Sequence, residues 1–385
     1  MGGIKTYIKS PLKHLSTSKP LRLVLIFLIT LNLANYVYQH REKYVATYDV
    51  NYWKEQYENS QWKKGWYATT ILSDAELYAW SGWNLIHGDS PQNVNPETPP
   101  LGKYFLGLSI VLFHNPNVIS IFWAIGVLFL VYQIGNMLLN NRVLTLISLA
   151  LFSFDRLFLE QLDTSLLDLP LLFFVLLTIL FFLKGQKKQT YFLPSILSLS
   201  AVAMTKVYPL SLFLGGLIVM NFILKRQFSL LRKYIQYIPF GIVFYLIVYM
   251  PFFFQNNLFD FAYLHYWVVH FARNQVPNYH PFEIWRILLL GKWLFWTPNP
   301  PKIDFLLEIR PVPQWNLFWT LGAISILYGF FKDFAKRKFN DTFFLQLFVV
   351  CYLLFLSFGL PYPRYILLIL PFLYLMLFRS HLRRV

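Results

Sequence analysis

The apolar residues of this chain fall into long, nearly unbroken runs, each close to the ~20 residues that a helix needs to cross the hydrocarbon of a bilayer. These runs occupy about 21–39, 118–139, 143–159, 166–183, 190–205, 207–224, 234–254, 316–331, 342–360 and 364–379. The pattern predicts an all-α, polytopic membrane protein of about ten transmembrane helices, and an even count puts both termini on one side. Two long stretches interrupt the runs, at 40–117 and 255–315, and are expected as external loops of a single integral membrane domain spanning 1–385. Inside the first, Leu101–Phe113 is apolar and opened by Pro99 and Pro100. About 13 residues cannot cross the bilayer, so this segment is expected to lie along it as an interfacial helix. The first run follows a basic tail as a signal peptide would. Its length, Asn32 and Asn35 and the lack of a small-residue cleavage site predict a retained anchor instead.

Composition agrees, with 56% apolar and 20% aromatic residues, more than a soluble core of this size uses. The net charge of +16 would by itself allow a nucleic-acid partner. Its distribution argues otherwise. The N-terminal tail, Arg142, the segments around Lys184–Lys188, Lys225–Lys233 and Lys332–Lys338, and the C-terminal arginines hold 20 of the 34 basic residues, but only Asp333 and Asp341 of the 18 acids. Excess Lys and Arg on the cytoplasmic side is the ordinary orienting rule, and anionic lipid is the partner it implies, not nucleic acid. A lone cysteine, Cys351, rules out a disulfide within the chain and a cysteine metal site.

The acids gather on the opposite side. Asp74, Glu76, Asp89 and Glu97 fall in the first external loop, and Asp155, Glu160, Asp163 and Asp168 in the short loop before the fourth span. Carboxylates grouped at a membrane surface suit proton removal from an attacking hydroxyl, or a divalent metal held against a phosphate. A solvated loop charge is the plainer account of any one of them.

The string DAELYAWSGWNLIHGDSPQNVNPETPPLGKYFLGL resembles the first external loop of the polyprenyl-phosphate-sugar-dependent glycosyltransferases of the GT-C superfamily, above all protein O-mannosyltransferases and aminoarabinose transferases. Asp74 and Tyr78 match the family's acid and the aromatic four residues on, and PPLGK at 99–103 its Pro-Pro-Leu opening. SLLDLPLLFF (165–174), TKVYPL (205–210) and PYPRYILLILP (361–371) are similar to later family segments, so the likeness extends over most of the chain. Two departures stand out: Ala75 replaces the acid that directly follows the first, with Glu76 one place on, and Asp163 stands where mannosyltransferases carry an arginine.

The resemblance implies transfer of a hexose, mannose being the expected sugar, from a polyprenyl phosphate donor to an acceptor hydroxyl expected on a protein Ser/Thr, with a lipid or glycan acceptor as the alternative. It implies Asp74 as general base, with Glu76 and Asp168 beside it in the catalytic group. Helix capping is the competing role for Asp74 and Asp168. Glu97 would meet the acceptor or a metal, and Asp163 is grouped with the substrate-binding residues. Lys206, at the outer end of the fifth span, is the first candidate for the lipid phosphate, with Lys103, Arg156, Arg273 and Arg364 as alternatives, Arg364 being attractive because a guanidinium grips phosphate bidentately. Snorkelling at a span end is the alternative for each. Glu97, His270 and His280 are the ligands that a divalent metal would use, although no tight motif such as His-Glu-x-x-His occurs. A transporter or lipid flippase would show repeated halves and polar groups midway through its spans. Here no repeat is found and the charges sit at span ends, while a scaffold would leave the acids dispensable.

Overall fold

The computed structural model describes residues 18–274, 281–298, 305–359 and 361–378. All ten apolar runs are helical: α1 (Lys19–Gln39), α5 (Val118–Leu139), α6 (Arg142–Ser153), α7 (Asp168–Gly185), α8 (Phe192–Thr205), α9 (Tyr208–Leu224), the pair α10 (Phe228–Ile235) and α11 (Ile238–Val248), α14 (Leu317–Ala335), α15 (Asp341–Leu356) and α16 (Leu370–Met376). The first long loop, 40–117, adds α2 (Val50–Glu58), α3 (Asp74–Ile86) and α4 (Leu101–Phe113), and the second, 255–315, adds α12 (Leu258–Asn274) and α13 (Glu283–Leu290). The α4 bounds are those that the Pro99-Pro100 opening and the apolar run predict.

Among the described residues, four helical stretches are long and apolar enough to cross a membrane, at Lys19–Gln39, Val118–Leu139, Asp168–Gly185 and Phe228–Val248, while Leu101–Phe113, Arg142–Ser153, Tyr208–Leu224 and Asp341–Leu356 are shorter apolar helices. Their outward surface is itself apolar: Leu23, Phe27, Phe129, Leu212 and Phe331 are all exposed. Side chains of that size arrayed on bundle faces are stable against lipid and not against water. On α1 only Ile29 is buried. The helix is pinned to its neighbour α6 by Asn32 Nδ2 donating to the Ser153 carbonyl at 2.7 Å.

Several of the predicted spans are shorter or more broken than expected; the run at 234–254 is split, with α11 ending at Val248, and the run at 342–360 ends at Leu356. The third ends at Ser153 and continues as a separate turn, Arg156–Leu159, because the Asp155 side chain caps that turn by accepting from the Leu157 amide at 2.8 Å. The last begins as a 3-10 turn, Pro363–Leu368, before α16. The second long loop also departs from the all-helical expectation. Lys292–Pro298 (β1) and Phe305–Pro311 (β2) form an antiparallel hairpin with Phe295 opposite Glu308. KWLFWT and FLLEIR are rich in aromatic and branched residues, which suit a pleated strand.

The main core is an apolar cluster centred on α7, whose Leu172, Val175, Leu176 and Ile179 are fully buried and which packs on α5, α8 and the Pro363–Leu368 turn; smaller clusters form around Tyr57 and Trp80 and around Tyr78, Leu106 and Leu167. Two close approaches decide what lies at the head of that core. A Cβ on Gly107 of α4 would overlap the Gly82 carbonyl of α3, and one on Gly82 would overlap the Lys103 carbonyl, so these helices cross backbone to backbone. A Cβ on Gly102 would come within 2.9 Å of both the Leu167 side chain and the Thr205 carbonyl. The start of α4 therefore lies between the residues that precede Asp168 and Lys206.

Candidate active site

Ser73 caps α3. Its hydroxyl accepts from the Glu76 amide, while Glu76 Oε2 accepts from the Ser73 amide and hydroxyl, both at 2.7 Å, which is a complete capping box. The cap thus occupies the Glu76 carboxylate and frees Asp74, at the first helical position, to face away from its own helix. Asp74 Oδ2 accepts from Arg364 Nη2 at 2.6 Å, across 290 residues of sequence. The guanidinium sits over the rings of Tyr362 and Tyr365, 5.2 and 6.0 Å from their centroids.

A second ion pair stands beside the first. Lys206, at the end of α8, donates to both oxygens of Asp168 at 2.7 Å each, and both side chains are buried. The Lys206 ammonium is 5.7 Å from the centroid of the same Tyr365 ring. Arg364 feels the charges of both Asp168 and Asp74, and Lys206 those of Asp168, Arg364 and Asp74. The four groups are therefore one electrostatic unit built from α3, α7, the end of α8 and the Pro363–Leu368 turn. They differ in access: Asp74 is 42% exposed and Asp168 only 5%.

Glu97 approaches from the loop before α4. Its carboxylate accepts from Asn95 Nδ2 and feels the charges of Lys103 and Asp74. Lys103 is wholly buried and donates to the Thr98 carbonyl at 2.7 Å and the Asn95 carbonyl at 2.8 Å. Its ammonium thus ties down the backbone on either side of Glu97, in place of the snorkelling position that its place in an interfacial helix predicts. Burial pulls the Lys103 ammonium down to about 7, opposed by Glu97, and raises the Glu97 carboxyl above the usual carboxylate range. Tyr78, buried on α3, lies within reach of the charges of Asp74, Arg364 and Asp168.

The remaining candidates are placed elsewhere. Arg156 pairs with Glu160 on the surface at 2.8 Å. Asp163 turns to the end of α1, where Lys43 Nζ is 3.0 Å away and the Tyr36 hydroxyl donates to it. Asp155 is buried, its Oδ2 accepting from Tyr374 at 2.6 Å, Trp319 at 2.7 Å and Asn316 at 2.9 Å, so it ties the short loop between α6 and α7 to α14 and α16. His270 stacks on Tyr266, His265 is taken up by Tyr245 and the Phe261 carbonyl, and His280 lies outside the described residues. Among the described residues no three His, Cys, Asp or Glu side chains gather into a metal-binding group. Glu97 is bonded to an amide and lies near the Lys103 ammonium, with Asp74 the one other carboxylate whose charge it feels, a set that does not fit a resident divalent ion.

Sequence reasoning missed Tyr365 as the ring shared by both cations, and Lys103 as the lock on the Glu97 loop. The flanking tyrosines of PYPRY were the available signal for the first; the second had none.

One donor at this centre has nothing to bond. Arg364 Nε is buried without a hydrogen-bond partner. A guanidinium carries five donors, and an unpaired buried one beside an ion pair costs free energy unless a ligand supplies an acceptor.

The arrangement of helices resembles that of ArnT from Cupriavidus metallidurans in a crystal structure bound to undecaprenyl phosphate. The TM-score is 0.58 and the identity 14%, covering 82% of this chain and 56% of that one. The same protein in the apo state matches over the same shares with a TM-score of 0.49. The chain thus spans little more than half the length of that neighbour, and the likeness is one of fold. No protein-family model and no curated protein matches the sequence.

Proposed function

We propose that this protein is a membrane glycosyltransferase that moves a hexose, with mannose first in order, from a polyprenyl phosphate donor to an acceptor hydroxyl on the non-cytoplasmic face. The observation that carries this reading is the Arg364 guanidinium, bonded to Asp74 through Nη2 and left with a buried, unbonded Nε. A phosphate oxygen satisfies that donor, and the Lys206 ammonium beside Tyr365 adds a second positive charge for the leaving group. The resemblance of the first loop to polyprenyl-phosphate-sugar transferases supports the same donor class, as does a fold neighbour that binds undecaprenyl phosphate.

The acceptor oxygen attacks the anomeric carbon and forms the new C–O bond, while the bond from that carbon to the phosphate oxygen breaks and its electron pair leaves with the phosphate. Asp74, the exposed carboxylate of the unit, takes the acceptor proton. Asp168 is held on both oxygens by Lys206 and acts by positioning that lysine. Glu97 accepts a hydrogen bond from the acceptor.

The test is transfer by the full chain in lipid nanodiscs, using polyprenyl phosphates that carry labelled mannose, glucose or galactose with peptide, lipid and glycan acceptors. Asp74→Asn is expected to lower transfer ~10²–10⁴-fold, the usual contribution of a positioned base. Equal transfer by the variant removes Asp74 as base, and no turnover of any donor removes the reading itself.

A further inference from the structure

A cleft of about 360 Å³ opens between the first long loop and α12. On the helix side it is lined by Asp260, Tyr263, Leu264 and Trp267, whose spacing of three, four and seven residues puts them on one helical face. Gln92 and Pro96 line the opposite wall, and Asn256 closes one end. Gln92 Nε2 donates to Asn256 Oδ1 at 3.3 Å, so the walls are tied together at that end. Elsewhere the helix face is opposed but not packed: Tyr263 remains 67% exposed.

The lining selects among ligands. It contains one carboxylate and no cation, which disfavours a phosphate or other anion. Two amides and a carboxylate would lose hydration for nothing against an acyl chain. Asp260 Oδ2 accepts from the Asn257 amide at 3.0 Å and Asn256 Nδ2 donates to the Phe252 carbonyl at 2.9 Å, which leaves Asp260 Oδ1 and Gln92 Oε1 for a ligand. Two aromatic rings with these acceptors at their edge suit a ring with apolar C–H faces and a rim of hydroxyls: the rings cover the faces, while the acceptors take hydrogen bonds from neighbouring hydroxyls. Pro96 joins the cleft directly to Glu97, whose loop is fastened by Lys103.

We propose that this cleft is a saccharide-binding subsite that receives the acceptor, so that the attacking hydroxyl belongs to a glycan. Its part in transfer rests on the glycosyltransferase reading above; its binding of sugar does not.

The experiment measures binding and transfer separately on the full chain in nanodiscs free of glycosidic detergent. Fluorescently labelled trisaccharides of mannose, glucose, galactose and N-acetylglucosamine are titrated against wild type, Trp267→Ala, Trp267→Phe, Asp260→Asn and Asp74→Asn. Saturable binding of at least one trisaccharide is expected, weakened tenfold or more in Trp267→Ala and Asp260→Asn, retained in Trp267→Phe, and retained in Asp74→Asn even though that variant loses transfer. Absence of saturable binding for all four, or equal binding by wild type and Trp267→Ala, overturns the subsite. Binding lost in Trp267→Ala with no donor turnover in any variant keeps the subsite and removes the transferase reading. Transfer to a peptide with the same acceptor KM in wild type and Trp267→Ala, without sugar binding, does the reverse.

Discussion

Arg364 draws its role from geometry that charge alone does not supply. Its planar fork reaches Asp74 with one nitrogen and keeps another buried and free of protein partners, over two tyrosine rings. A lysine has no such fork. Arg364→Lys keeps the positive charge but loses a charged hydrogen bond worth about 1.5–3 kcal/mol, so transfer should fall by roughly 10–100-fold, with a raised KM for the donor. An unchanged donor KM would place the phosphate elsewhere. Glu97 gives a second residue-scale expectation. Its carboxyl is raised by burial, and a carboxylate that must be ionised to accept a hydrogen bond is lost as pH falls through that raised value. The acid limb that Glu97 sets should therefore lie above the ~4.3 of an ordinary glutamate and be lost in Glu97→Gln, leaving only the limb that Asp74 imposes as the base. A raised limb that survives the substitution belongs to another group.

At the scale of elements, α3 and α4 act as one piece because paired glycines let their backbones touch. This places Asp74 and the Glu97 loop at a fixed separation. Gly107→Ala would force the helices apart at an overpacking cost of about 1–3 kcal/mol, lowering the unfolding temperature and transfer together. Thermal unfolding in nanodiscs, with wild-type and variant activities beside it, checks this; a stable variant with full activity would mean that the crossing does not set the site. Much of this level could be read in the chain. The capping box at Ser73–Glu76 and the Pro-opened helix Leu101–Phe113 are local patterns, complete within a few residues. The β1–β2 hairpin was not legible, since strands of seven residues in an aromatic loop carry no period that separates them from a short buried helix.

For the whole molecule, the charge distribution predicts how the bundle is oriented. Basic turns such as Lys184–Lys188 are expected in the cytoplasm, and the first external loop with its acids on the other side. Single cysteines at the exposed positions Lys187→Cys and Tyr67→Cys, in a Cys351→Ser background, should react with an impermeant reagent from opposite sides of sealed vesicles. Labelling from the same side would refute the ten-span topology. Hydrophobic runs and charge asymmetry determined the helical membrane architecture from sequence alone, because lipid forces every span to satisfy its own backbone and leaves an apolar outer face. Which acid faces which cation was a tertiary decision. Asp74 meets Arg364 across 290 residues and Asp168 meets Lys206 across 38, while Asp155, Asp163 and Glu160 take other partners. A carboxylate carries the same charge wherever it stands in the chain; only close packing of α3, α4, α7 and the turn before α16 selects the partner it meets.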